Sequence, residues 1–225
     1  MTTTLKRCAF LFTILVPALA FGETIADSSA EFTSDGSHGG NGWSNGYYDQ
    51  TADADGTYSA SDFTPFEGPD WVWTGSAWDW GSGNVPWTTV AADNGHPNGD
   101  NNGDVHWAMR RWESDHTGPV EITWNLAKQN VNCGNGTTGI LFLNGNEISS
   151  ATIEGADGTG VSHTVMADIA AGDTVDLALS PLGVDGTLAD GCDGSFFGAT
   201  VTAVPEPGSF VLLLMGMAAL ARRRR

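Results

Sequence analysis

Val120-Glu121-Ile122-Thr123-Trp124-Asn125-Leu126 is the stretch on which the fold turns. Val120, Ile122, Trp124 and Leu126 take every second position, with Glu121, Thr123 and Asn125 between them. A period of two places the apolar set on one face of an extended chain, so the segment reads as a half-buried strand. The same pattern recurs on both sides of it. Val105, Trp107 and Met109 alternate with His106, Ala108 and Arg110, and Val161, His163 and Val165 share one face. Val175, Leu177 and Leu179 alternate around Asp176, and Phe196 to Ala203 forms a last strand. Ile140 to Leu143 runs into Asn144-Gly145, a pair suited to the left-handed turn of a hairpin, and Glu147 to Ile153 returns. Ala170 to Asp173 is a further turn, and no stretch of the body keeps a long 3.6-residue period. These strands predict an all-β fold, an antiparallel β-sandwich of jelly-roll type.

Residues 42 to 104 are less regular and rich in aromatics, and they predict two to four strands with long loops. Residues 21 to 41 are polar and rich in Gly and Ser, and they read as a flexible lead. A sandwich domain is therefore expected over residues 42 to 204. The whole chain has 225 residues, enough for one such core and short for two.

Charge narrows the partners. The chain carries 27 acids and nine bases, a formal charge of −18. Between residues 21 and 204 there are 26 acids and three bases, Arg110, Arg111 and Lys128. A body this acidic repels phosphate backbones, which argues against nucleic-acid binding. It suits cation binding, a saline medium or solubility.

Both ends read as addresses. Lys6 and Arg7 precede an apolar run from Cys8 to Ala20 that ends Ala18-Leu19-Ala20, which predicts a signal peptide over residues 1–20. At the other end, Pro205-Glu206-Pro207 leads into an apolar stretch ending at Ala221, followed by Arg222, Arg223, Arg224 and Arg225. At about 1.5 Å per residue, a helix there would span about 21 Å, short of a hydrocarbon core of about 30 Å. The arginines would stay cytoplasmic, leaving the body outside.

Residues 205–225 resemble a PEP-CTERM sorting tail: a Pro-Glu-Pro elbow, a short hydrophobic helix and terminal arginines. The resemblance implies export across the inner membrane of a Gram-negative bacterium that makes extracellular polysaccharide. It also implies an exosortase-type membrane protease as partner, transient anchoring by the helix, and a final place at the cell surface or outside the cell. The body has its own likeness. Gly42 to Asp49, Trp107 to Trp112, Asn132 to Gly139 and Gly191 to Phe197 resemble blocks of a secreted module similar to carbohydrate-binding jelly rolls.

Once Cys8 leaves with the signal peptide, Cys133 and Cys192 remain, and export predicts that they pair. Gly42-Trp43-Ser44-Asn45-Gly46 has G-x-S-x-G spacing, but a nucleophile elbow needs a strand before the serine and a helix after it. His38, His96, His106, His116 and His163 show no H-E-x-x-H spacing. Asp100, Asn102 and Asp104 place oxygen ligands at i, i+2 and i+4, the opening of a calcium loop, although Val105 and Arg111 depart from the EF-hand pattern. Ca²⁺ is the one cofactor this suggests. Asp53, Asp55, Asp185, Asp190 and Asp193 are weaker candidates.

Trp71, Trp73, Trp78 and Trp80 flank Thr74-Gly75-Ser76-Ala77. In a hairpin each pair shares a face, which makes the four indoles either core or a flat platform for sugar rings. Two functions follow. One is a non-catalytic surface or matrix protein that binds polysaccharide. The other is a secreted glycan-active hydrolase or lyase, which needs a carboxylate pair that the sequence does not single out.

Overall fold

A computed structural model describes residues 22–81 and 83–205. The signal peptide, Glu206, Pro207, the hydrophobic stretch and the four arginines lie outside the described residues. Among the described residues no helix is long and apolar enough to cross a membrane.

Among the described residues fourteen strands follow in chain order. The first seven are β1 (Glu23–Asp27), β2 (Trp43–Asp49), β3 (Thr64–Pro65), β4 (Trp71–Trp73), β5 (Ala77–Trp80), β6 (Thr89–Ala91) and β7 (Asn94–His96). The rest are longer: β8 (His106–Glu113), β9 (Gly118–Lys128), β10 (Thr137–Leu143), β11 (Asn146–Ile153), β12 (Val161–Ile169), β13 (Thr174–Ser180) and β14 (Ser195–Ala203). They form two antiparallel sheets. The first runs β12-β9-β14-β7-β6-β5-β4, with β1 on β14; the second runs β11-β10-β13-β8-β2-β3. The sandwich read from the sequence is the fold.

β9 shows why. Val120, Ile122, Trp124 and Leu126 are fully buried, and Glu121 and Asn125 face solvent. They meet Val201, Ala199 and Phe197 of β14 on one side and, across the sandwich, Leu141, Leu177 and Leu179 of the second sheet. At Asn144 and Gly145 φ is 51° and 77°, the left-handed turn that closes β10 onto β11.

Two expectations change. The lead is not loose: β1 pairs antiparallel with β14, Glu23 opposite Ala203. Behind it, Asn41 donates to the Ile25 carbonyl at 2.6 Å and Trp43 Nε1 donates to Glu31 at 2.9 Å. β1 is short and mostly polar, and its partner lies at the far end of the chain, so periodicity alone does not reveal it. Residues 42 to 104 hold six strands rather than two to four, because β3 to β7 are each two to four residues long.

The second sheet is covered on both faces. Ala108, Trp112, Leu141, Val175 and Leu177 face the main core. Tyr48, Met109, Ile140, Phe142 and Ala178 face the other way, with Trp107 packed beside them. Residues 50–63, the connection from β2 to β3, cross this outer face as a strap. Tyr58 is the strap's anchor: its ring lies 4.6 Å from Phe142.

Candidate functional site

The tryptophan hairpin forms with Trp71 opposite Trp80 and Trp73 opposite Trp78. The register puts all four indoles on one face, and that face turns inward. Trp71 is 7% exposed, 4.1 Å from Phe66 and 5.0 Å from Tyr47, with Trp80 edge-on at 5.1 Å. The lead folds over the outer pair: His38 stacks on Trp78 at 5.2 Å, and Phe32 lies 5.9 Å from Trp73. Gly36, at φ 81°, lets the backbone in, since a Cβ there would sit 2.8 Å from the Trp73 ring. Four indoles carry more apolar area than a hairpin can leave in water, so they build core. The platform expected at Trp71, Trp73, Trp78 and Trp80 is not an open face: Trp71 is buried and the other three are half-buried.

The calcium loop also resolves differently. Asp100–Asn102 is one 3-10 turn. Asn102 donates to Asp190 Oδ1 at 2.6 Å, and Asn101 Oδ1 accepts the Asp190 N–H at 3.0 Å. The turn is thus tied to the chain around Asp190. Asp104 instead joins Asp49 and His106, with one ligand atom of each lying within 4.8 Å of the others. Asp100 is not part of that group.

His106 is 3% exposed, between Tyr47 at 4.9 Å and Trp80 at 6.3 Å. Burial holds its pKa below the usual imidazole value, against the pull of Asp49 and Asp104. Its Nε2 lies 3.5 Å from Asp49 Oδ2, and its buried Nδ1 has no hydrogen-bond partner.

The sequence reading missed a third arrangement, an open groove of about 430 Å³ on the outer face of the second sheet. Trp107, Ile140 and Phe142 line it from the strands, Gly56, Thr57 and Tyr58 from the strap, and Gly145, Asn146 and Glu147 from the hairpin turn. Trp107 and Phe142 lie nearly parallel, 6.4 Å apart and 19° between planes. The Trp107 indole N–H is buried without an acceptor. A charged network holds the strap in place. Arg111 Nε and Nη2 donate to the two Asp176 oxygens at 2.6 and 2.8 Å. Arg111 also donates to the Ala60 carbonyl at 2.8 Å, and Tyr58 donates its hydroxyl proton to Asp176 at 2.7 Å. Burial, followed by the Asp176 charge, raises the Tyr58 pKa well above the ordinary phenol value. At the turn, a Cβ on Gly145 would sit 2.5 Å from the Ala60 amide, so the hairpin meets the strap backbone to backbone.

A signal for this groove exists in the sequence. β10 is apolar at four successive residues, Ile140 to Leu143, and β8 has Trp107 and Met109 on one face, Ala108 and Trp112 on the other. A strand apolar on both faces needs cover on both.

Cys133 and Cys192 are bonded, with Cα atoms 5.7 Å apart. Beside them Lys128, fully buried, donates to Asp193 at 2.9 Å and to the Cys192 carbonyl at 2.8 Å. Ser44 sits inside β2, and the chain runs on as strand to Asp49.

Val204 donates its N–H to the Pro119 carbonyl, so Pro205, exposed, begins where the sandwich ends. A family model described as the PEP-CTERM protein-sorting motif matches residues 203–225. No curated protein sequence matches the chain. Among solved structures, a CBM51 module from Clostridium perfringens GH95, in complex with methyl-galactose, is 14% identical, covers 53% of this chain and 77% of its own, and has a TM-score of 0.34. A CBM35 from Paenibacillus barcinonensis is 18% identical over 44% of this chain and 72% of its own, at a TM-score of 0.27. A β-glucosidase from Kluyveromyces marxianus, in complex with glucose, is 14% identical over 89% of this chain and 22% of its own, at 0.36. The chain carries a PEP-CTERM protein-sorting motif, which marks it for export.

Proposed function

We propose that the chain is cleaved near Pro205-Glu206-Pro207 by an exosortase-type membrane protease, and that its body then serves at the cell surface or in the matrix as a non-catalytic holder of extracellular polysaccharide. The groove at Tyr58, Trp107 and Phe142 carries this reading. Its walls are aromatic, and its rim offers Thr57, Asn146 and Glu147 for sugar hydroxyls. A stack that removes about 80 Å² of apolar surface from water contributes about 2 kcal/mol, so adjoining rings are needed for useful affinity. Among the residues lining the groove Glu147 is the one carboxylate, and it already accepts a bond from Ser150 at 2.6 Å. Glycoside hydrolysis needs two carboxyls about 5–9.5 Å apart, so the lining supports holding a glycan over cutting it. The test pairs two assays on the host's own polysaccharide. Retention in pull-down without release of reducing ends is the expected result; release of reducing ends would establish the hydrolase reading instead. Intact mass of the mature protein should end near the Pro-Glu-Pro, and a full-length C-terminus in the membrane would contradict processing.

A further inference from the structure

The grouping of Asp49, Asp104 and His106 lies apart from the groove, on the inward face of β8 and β2. Each member is held in place by something other than the others. Asp49 ends β2 directly opposite His106, and its Oδ1 accepts the Ala52 N–H at 2.9 Å, which leaves Oδ2 turned to the imidazole. The His106 backbone exchanges two hydrogen bonds with Asn98, at 2.9 and 3.0 Å. The Asn98 side chain in turn donates to the Asp104 carbonyl at 2.6 Å. Asp104 lies two residues before His106, in the bend that leads into β8.

Two carboxylates stand within 4.8 Å of each other, and among the described residues no Lys or Arg side chain is paired to either. The imidazole beside them is almost wholly buried: its Nε2 faces Asp49 Oδ2 at 3.5 Å, and its Nδ1 has no hydrogen-bond partner. A buried nitrogen without a partner is uncommon, and two carboxylates crowded against a buried imidazole favour a cation among them.

The geometry points to a divalent metal site at Asp49, Asp104 and His106, selective for a borderline transition ion of the Zn²⁺ class over Ca²⁺. One nitrogen and two carboxylate oxygens suit zinc, whereas calcium takes six to eight oxygens. Three protein ligands leave a position for water. The Asp104 side chain is exposed, and coordination requires the present spacing of up to 4.8 Å to close around the ion.

The test is calorimetric titration of the chelator-treated, untagged protein with ZnCl₂ and, separately, CaCl₂. One equivalent of zinc should bind, at least tenfold more tightly than calcium. Asp104→Asn, whose side chain is exposed, should bind zinc at least tenfold more weakly while its metal-free melting curve matches the wild type. His163→Gln, an exposed histidine of β12, should bind as the wild type does. Absence of zinc binding overturns the proposal, as does Asp104→Asn binding as tightly as the wild type, or tighter binding of calcium than of zinc.

Discussion

Replacing Arg111 with Met tests whether the charged network builds the groove. The guanidinium gives Asp176 two of its three hydrogen bonds, at 2.6 and 2.8 Å, and the third comes from Tyr58. Asp176 is fully buried, so Arg111→Met leaves a desolvated carboxylate with a single donor. It also frees the strap, since Arg111 holds the Ala60 carbonyl and lies 4.3 Å over the Phe63 ring. Breaking a buried ion pair from one side costs about 3–5 kcal/mol. In a domain of this size each kcal/mol moves the melting midpoint about 2–4 °C, so a fall of about 6–20 °C is expected. Methionine keeps most of the packing on Phe63, which isolates the charge from the volume. The triple replacement Arg111→Met, Asp176→Leu and Tyr58→Phe removes every polar member together. It should recover most of the lost stability, because an apolar cluster of similar volume replaces a pair whose desolvation cost is large. Urea melts of the three proteins measure this directly. A single variant that loses under about 1 kcal/mol, or a triple variant no better than the single, would refute the reasoning.

Three further outcomes follow from other parts of the sandwich. Reducing the Cys133–Cys192 bond, which closes a loop of sequence separation 59, should cost about 4 kcal/mol on the loop-entropy account; two alkylatable thiols in the exported protein would contradict the pairing. Arg110 is fully buried, burial draws its pKa down to about 9, and its Nε and Nη1 have no partner although Nη2 reaches the Ala91 carbonyl at 2.6 Å. Arg110→Met should therefore be neutral or stabilise by about 1–4 kcal/mol in denaturant melts, and a loss of more than about 2 kcal/mol would count against it. Burial lowers the His96 pKa from 6.5, against the Pro97 carbonyl and Asp190, so the folded state favours the neutral ring. Its contribution to stability is fully present above pH 6.5 and is lost as pH falls through the lower folded value; an NMR titration midpoint above 6.5 would reverse the sign.

What could be read in the sequence was what neighbours decide. Val120 to Leu126 and Val175 to Leu179 alternate, Asn144-Gly145 turns, and Cys133 and Cys192 are the pair that export leaves. The hairpin of Trp71 to Trp80 was equally local, and its register followed. Which way its indoles face was not local: that depends on Phe32, Gly36 and His38, from a segment whose composition reads as loose. The groove lay further out of reach. Tyr58 and Asp176 are 118 positions apart, and Asp49 meets His106 across a pairing of β2 with β8 that no spacing announces. Long-range side-chain bonds of this kind leave no period, only the indirect mark of strands apolar on both faces.

Affinity of the host's own extracellular polysaccharide for the wild type, Trp107→Ala and Trp87→Ala tests the central claim most directly, with folding of each checked by its melting curve. Trp107 lines the groove, and Trp87, 40% exposed, stands in the loop before β6 of the other sheet. Loss of one stack of about 2 kcal/mol corresponds to about thirtyfold in affinity. The account predicts that folded Trp107→Ala loses at least about tenfold while Trp87→Ala binds as the wild type does. A folded Trp107→Ala that binds undiminished, or a wild type that retains no polysaccharide, would contradict it.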